Sequence, residues 1–382
     1  MKNVSRILPL YTADTSGVCS ALYELGGMCV IHDASGCNST YTTHDEPRWY
    51  DRRSQVFISA LTELDAIMGN DERLISDCVS AAADLHPAFI ALCGSPMPMM
   101  TGVDFDAIAA EIRGRSGIPT FGLHTNGTVS YVEGASQAFE AVVREFVRHV
   151  PKREGIGVNI LGMTPLDFPL GSDGSVKSWL SANGMEQVCN LGMGSTLEDV
   201  KQMASARVNL VVSHTGRAAA DYLRKYFDIP CICGVPAGKG FADSLASQLR
   251  AAAESSITDR AIIPEACLGD GDTVVIGESV YASSLCAALK ADMGIDASLL
   301  CPLPADDRYY ESTGGERVYA EEDLEAYLRE KMPGTVIADP LYKYVIPEGT
   351  RHIELPHLAF SGRTWQRSIP DLINTDIKEL FK

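Results

Sequence analysis

Along almost its whole length the chain alternates short apolar runs, each ending in small or polar residues, with longer segments of helical periodicity. That alternation restricts it to a narrow set of folds. In the first third the runs are "CVIHDASG", "DAIMGN", "FIALCGS" and "IPTFGLHT". Between them, "DERLISDCVSAAADLH" puts Leu74, Ile75, Cys78, Val79 and Ala82 on one helical face, and "SQAFEAVVREFVRH" does the same with Phe139, Val142, Val143 and Phe146. Strands that are apolar on both sides belong in a sheet covered on both faces, and strands separated by helices of this length pair in parallel. The pattern restarts at "GIGVNILGM", after the charged link "VPKREG", and again at "GDGDTVVIGES". At about 150 residues per domain, 382 residues exceed one small core. The expectation is an α/β protein of three doubly wound parallel-sheet units, over 1–152, 153–266 and 267–382.

Charge narrows the partners. A formal net charge of −18 repels phosphates and anionic headgroups, so neither nucleic acid nor a membrane surface is expected. No apolar run approaches the roughly 18 residues of a membrane span. The opening "MKNVSRILPLYTADTSG" has no apolar stretch followed by a small-residue cleavage site, which points to the cytoplasm. There, eleven cysteines should stay reduced, as core residues, catalytic groups or ligands rather than a disulfide scaffold.

In open parallel sheets ligands collect beyond the carboxyl ends of the strands. Cys37 directly follows the run "VIHDASG", Cys93 ends "PAFIALC", and His214 and Cys233 fall at the same level of later runs. Cys19 is expected to open a short helix, "CSALYEL", whose N-terminus would favour the thiolate, the form that binds iron or zinc. None of these forms a tight C-x-x-C pair, and taken singly each reads as a small core residue rather than a ligand. Cys29 reads as a buried strand residue, and Cys78, on an apolar helical face, as core.

The neighbours of these cysteines carry further information. "TSGVC", "IHDASGC" with "NSTYTTHDEPRW", "ELDAIMGNDERL", "HPAFIALCGSPMPMMTGVDFDAI" and "IPTFGLHTNGTVSYVEGASQAF" occur in that order. Together they resemble the first domain of nitrogenase component 1. The wider family includes subunits of dark-operative protochlorophyllide reductase, chlorophyllide reductase, nickel-sirohydrochlorin diamide reductase and the nitrogenase cofactor-assembly scaffold. The family's "HGxxGC" element is here "HDASGC", with Asp33 in place of the first glycine. Its strand carrying a glutamate is matched by Glu63 with "AIMGN", and its third cysteine, ahead of a Gly-Asp pair, by Cys93 with Gly102 and Asp104. The stretch from "VNILGMTPLDF" to "ARVNLVV", then "IPCICGVPAGKGFADSL", "DTVVIGES" and "ELPHLAFSGRTW", resemble the later domains.

The resemblance implies that Cys19, Cys37 and Cys93 are ligands of an iron–sulfur cluster, a 4Fe-4S centre or a larger P-cluster-like one. Three cysteines leave a four-iron cluster one ligand short. The family places its cluster at the interface of two homologous subunits, so a homodimer or a pair with a paralogous subunit is expected. Nitrogenase also ligates an iron–molybdenum cofactor through a second-domain cysteine and a third-domain histidine. The matching second-domain stretch here, "NLVVSHTGRAAADYL", has no cysteine; Ser213 and His214 lie nearest. His357, in "LPHLAF", lies near the family's histidine in a poorly matching motif. Dinitrogen reduction on that cofactor is therefore not expected. His214 is the candidate catalytic residue, as a proton donor, with His44 and His124 as further candidates.

"GVPAGKGF" is too short between Gly234 and Gly238 to be a P-loop, and Gly240 follows Lys239 where Ser or Thr is needed. No G-x-G-x-x-G follows a strand, so a bound NAD or flavin is not expected. Electrons would come from a separate protein, in the family a homodimeric, ATP-dependent iron protein of the nitrogenase reductase type. The expected function is a nitrogenase-like reductase catalytic subunit. The alternatives are a scaffold or carrier on which an iron–sulfur cluster or cofactor is assembled, and a metal-free small-molecule binding module.

Overall fold

The computed structural model describes residues 5–34, 46–52, 55–255, 260–261, 271–305, 316–318 and 320–381. The described strands form three sheets in which every pairing is parallel. The first contains β1 (Met28–His32), β2 (Gln55–Ile58), β3 (Ile90–Gly94) and β4 (Thr120–Leu123), in the order β2-β1-β3-β4. The second contains β5 (Ile156–Leu161), β6 (Met185–Leu191), β7 (Val208–Val211), β8 (Cys231–Cys233) and β9 (Arg260–Ala261), in the order β6-β5-β7-β8-β9. The third contains β10 (Thr273–Ile276), β11 (Ala297–Cys301), β12 (Glu316–Arg317), β13 (Thr335–Ala338) and β14 (Arg351–Glu354), in the order β12-β11-β10-β13-β14. Each sheet grows outward both ways from an inner first strand. The winding therefore reverses between β1 and β3, between β5 and β7, and between β10 and β13, and side chains at those strand ends face a crevice.

Period-two alternation sorts the first sheet's side chains. Met28, Val30, Ile90 and Leu92 pack on one face against α3 (Asp71–Leu85) and α5 (Phe105–Ser116) through Leu74, Ile75, Cys78, Phe105, Ile108 and Ile112. Cys29, Ile31, Ala91 and Cys93 face the other way, into the cluster formed with α1 (Asp14–Leu22) and α6 (Tyr131–Phe146). Each buried Leu, Ile or Phe contributes about 1.5–3 kcal/mol. The two helices α1 and α6 cross closely because Gly17 faces the backbone of α6 and Gly134 that of α1. A Cβ on Gly17 would strike the carbonyl of Tyr131, and one on Gly134 the carbonyl of Asp14.

Two local expectations are corrected. "DAIMGN" is not a strand: Glu63–Met68 is a helix, α2, and the edge strand is Gln55–Ile58 instead. Thr62 and Asp65 form a capping box, and Gly69 ends the helix in the left-handed region, so local hydrogen bonding overrides the apolar run. Cys19 does not open a helix either. The helix begins at Asp14, so Cys19 lies in its middle, beyond the N-terminal amides. Gly17 lies inside that helix and serves the close crossing with α6.

The remaining helices are α4 (Pro96–Thr101), α7 (Ser172–Ala182), α8 (Leu197–Lys201), α9 (Arg217–Phe227), α10 (Gly240–Ser255), α11 (Ser279–Met293), α12 (Glu321–Lys331) and α13 (Leu358–Ser361). The ends of the chain tie the sheets together. The amides of Arg6, Ile7 and Leu8 all donate to the Glu321 carboxylate at 2.8 Å, and Tyr11 packs on Phe360. Near the other end Ser175 donates to Asp371, and the Gly238 amide to the Leu372 carbonyl. One apolar cluster runs from Val18 and Phe139 through Leu161 and Leu210 to Leu285 and Leu299. No helix among the described residues is long and apolar enough to cross a membrane.

Candidate functional site

Cys93 is the penultimate residue of β3 and pairs in register with Ile31, while Cys29 pairs with Ala91. Both cysteines project from the α1 face of the sheet, where Cys19 descends from the helix. The Cys19 thiol lies near enough to those of Cys29 and Cys93 to interact with both. All three are buried, at 0%, 1% and 0% exposure for Cys19, Cys29 and Cys93. The hydrogen bond with Cys29 pulls the Cys19 thiol toward ionisation, but the bond with Cys93 and burial outweigh it and raise its pKa well above the ordinary value. Cys29 is raised by its hydrogen bond to Cys19 and by burial. At Cys93 the bond with Cys19 favours ionisation, and burial overcomes it. The expectation of a ready thiolate at Cys19 is thus reversed: burial holds these thiols neutral. Two of the three predicted ligands are brought together, and Cys37 lies outside the described residues. Among the described residues no three His, Cys, Asp or Glu side chains are arranged to hold a metal ion.

Sequence reading missed Cys29 as a neighbour of this site. The signal was present, because alternation puts Cys29 and Ile31 on one face of β1 and Cys93 beside Ile31. Beyond β3, Ser95 donates to the Asp33 carboxylate at 2.7 Å and pins the end of β1 to the start of α4. On this end of the sheet α2 and α4 turn Leu64, Ile67, Met68, Met99 and Met100 outward, with Ile67 81% and Met100 82% exposed. α2 buries none of its residues.

A second group of functional side chains gathers where the three sheets converge. Asp167 follows β5 and Ser213 follows β7, at the reversal of the second sheet. Glu278 follows β10 and Asp339 follows β13, at the reversal of the third. His357 follows β14, Tyr131 opens α6, and Tyr11 lies on the N-terminal arm. Asp167 is the hub: one carboxylate oxygen accepts from Tyr131 and from His357 Nε2 at 2.9 Å, the other from Ser213 at 2.9 Å. Glu278 caps α11, accepting the amides of Val280 and Tyr281, the amide of His214 at 3.0 Å and the Ser279 hydroxyl. Asp339 accepts the amides of Leu341 and His357. Burial and the neighbouring Asp167 raise Glu278 to about 7, against those hydrogen bonds. Burial, with Asp167 and Glu278 nearby, raises Tyr131 well above its ordinary value.

Between these groups lies a cavity of about 30 Å³, lined by Tyr11, Asp167, Glu278, Asp339, Tyr342 and His357 among others. At ~10–15 Å³ for each water-sized occupant, it has room for two or three such atoms. Glu278 and Asp339 are each 2% exposed and the His357 side chain 15%. The predicted proton donors fall differently. His214 adjoins the group through its backbone amide to Glu278. His124 lies on the surface, 71% exposed and paired with Asp106 at 3.3 Å. His44 lies outside the described residues.

Comparison with known proteins places this geometry. The family profile described as Nitrogenase component 1 type Oxidoreductase matches residues 15–355. The chain is 33% identical over 108 residues to a light-independent protochlorophyllide reductase subunit of Chlorobium phaeobacteroides (strain BS1), covering 28% of this chain and 20% of that protein. The nitrogenase molybdenum-iron protein beta chain of Methanothermobacter thermautotrophicus is 20% identical over 333 residues, covering 77% of this chain and 70% of that one. The chain spans only about a fifth of the length of the protochlorophyllide reductase protein in that match. Among solved structures, one titled "Nitrogenase Cp1 at pH 6.5" superposes with a TM-score of 0.69 at 16% identity, over 100% of this chain and 93% of that one. That last likeness concerns the fold. On the profile match, which spans most of the length, the chain belongs to the nitrogenase component 1 type oxidoreductase family.

Proposed function

We propose that the chain is the catalytic subunit of a nitrogenase-like reductase. It would take low-potential electrons from an ATP-dependent iron protein, through an iron–sulfur cluster on Cys19, Cys37 and Cys93, to its substrate. The observation that carries this reading is the burial of Cys19 and Cys93 near each other, with interacting thiols, at the carboxyl end of the first sheet. Two neutral, buried sulfurs near each other suit an iron–sulfur centre better than a catalytic thiol, which needs a cationic neighbour to ionise it. When bound, the cluster supplies one-electron transfer at low potential.

The protein's own contribution is to exclude water from the sulfurs and to set their protonation. Because Cys19 and Cys93 rest as neutral thiols, loading the cluster releases their protons and is favoured as pH rises. Cys29 stays a thiol and hydrogen-bonds the Cys19 sulfur, a contact that tunes the potential of such a centre. The exposed Leu64, Ile67, Met68, Met99 and Met100 beside this site support a second protomer, identical or paralogous, seated there. The same reading divides the chain near residues 152 and 267 and puts the protein in the cytoplasm. The acid–base groups lining the cavity favour an enzyme over an assembly scaffold, which has no need of them.

The test is anaerobic purification, followed by electron paramagnetic resonance with a nitrogenase reductase-type iron protein and MgATP. A reduced-cluster signal that requires ATP supports the proposal, and a cluster that the iron protein cannot reduce overturns it.

A further inference from the structure

We propose that Arg48 is a positioning residue for Cys19 and that, together with Glu46, it sets the reduction potential of the iron–sulfur centre that Cys19 would bind. The inference rests on the reductase reading above and deepens it at the same site.

The last turn of a helix leaves carbonyls without a partner inside the helix, and its negative end favours a cation. Helix α1 ends at Leu22 with no basic residue in that turn. Arg48 supplies both from a distant stretch of chain. Its Nη2 donates to the Ser20 carbonyl at 2.8 Å, one residue along from Cys19. From Nε and Nη2 the same guanidinium donates to the two Glu46 oxygens at 2.6 and 3.0 Å. From Nη1 it donates to Glu24 at 3.0 Å and to the Gly192 carbonyl at 2.9 Å. All five N–H groups of the fork are thereby used. The fork also lies over the Tyr23 ring, 4.7 Å from its centre. Glu24 in turn accepts the Gly194 amide at 2.9 Å and pairs with Arg52 at 2.9 Å. One side chain thus ties the end of α1 to the turn that follows β6.

Arg48 and Glu46 are 3% and 2% exposed, and the Glu24 side chain 3%. Taking such charges out of water costs about as much as their attraction returns, and apolar side chains of similar volume often hold a fold better. Stability alone therefore does not account for an ion network at this place. Its position beside Cys19 does. Arg52 is 52% exposed and screened by solvent, which leaves the Arg48 guanidinium facing the Glu24 and Glu46 carboxylates in the interior. Glu46 is close enough to disfavour negative charge on the Cys19 sulfur. A surplus of negative charge beside a cluster opposes the arrival of an electron and so keeps its potential low. Arg48 limits that surplus while it fixes the backbone next to the sulfur.

Anaerobic redox titration of the full chain tests this, with the reduced cluster followed by electron paramagnetic resonance and iron counted per chain. Glu46→Gln removes a negative charge but keeps an acceptor for the fork, and should shift the potential upward. Arg48→Met removes the positive charge and should shift it downward. If Arg48→Met does not fold, Arg48→Met combined with Glu46→Gln, which leaves no Glu46 carboxylate unpaired, should lie below Glu46→Gln alone. Arg48→Lys keeps the charge and should return the potential toward wild type. Its resonance lines should still broaden, because an ammonium cannot hold Ser20 and the Glu46 fork together. A role confined to stability would lower the urea midpoints of these variants without moving the potential in opposite directions. Shifts of one sign in Glu46→Gln and Arg48→Met, no shift in either, or unchanged line widths in Arg48→Lys overturn the proposal. A wild type that holds no cluster fails the reductase reading, whereas a cluster whose potential ignores these charges fails this inference alone.

Discussion

At the scale of single residues, the cavity's carboxyl group links function to stability. Glu278 binds a proton more tightly folded than unfolded, with a pKa of about 7 against an ordinary 4.5. The folded state therefore loses stability as pH rises from about 4.5 to about 7, and keeps the full contribution below that window. Urea denaturation of Glu278→Gln should show a flatter stability profile across this interval than wild type. It should also show a constant loss of about 1 kcal/mol from the weakened cap of α11. Equal slopes in the two proteins would mean that Glu278 is ionised throughout. The cysteines make a complementary prediction. On the proposed ligand set, Cys29→Ser should retain bound iron while shifting the cluster's reduction potential, measured by redox titration, because that residue lies beside Cys19.

At the scale of elements, the close crossing of α1 and α6 holds Cys19 over the first sheet. Gly134→Ala should push the helices apart and cost about 1–3 kcal/mol, seen as a lower urea midpoint. The outward stripe on α2 and α4 makes a separate prediction. Ile67→Asp with Met100→Asp should leave the urea midpoint within about 0.5 kcal/mol of wild type, since both side chains are exposed. The same change should abolish subunit association in analytical ultracentrifugation, and unchanged association would move the interface elsewhere. The strand and helix pattern was legible wherever apolar runs were long enough to show a period, as in α3, whose buried Leu74, Ile75, Cys78 and Ala82 stand at helical spacing. It was not legible at α2, where six residues are too few to show a period and a capping box decides the outcome. Nor was it legible at α1, which starts at Asp14 rather than Cys19 and carries Gly17 inside it as a packing contact.

At the scale of the whole molecule, what could be read in sequence depended on distance along the chain. Cys19 and Cys93 stood out because each sits in a recognisable local stretch. Their mutual contact follows from helix α1 lying over β3. The acid–base group could not be found that way, since Asp167 and His357 lie 190 residues apart and meet only when the second and third sheets face each other. His214 was found by its place at a strand end, and the fold uses its backbone amide on Glu278. The N-terminal arm, held by Glu321 through three amides, brings Tyr11 to the cavity wall, so the first and last parts of the chain close the same site. The cysteine group and the cavity thus sit on different sheets of one continuous core.

The most direct measurement is iron quantified per chain in strictly anaerobic preparations of the wild type, Cys19→Ala, Cys93→Ala and Cys29→Ala. A sulfur-ligated centre predicts iron in the wild type and in Cys29→Ala, and its loss in the other two with the fold intact by circular dichroism. An iron-free wild type, or iron that survives removal of both Cys19 and Cys93, would show that these thiols are only core.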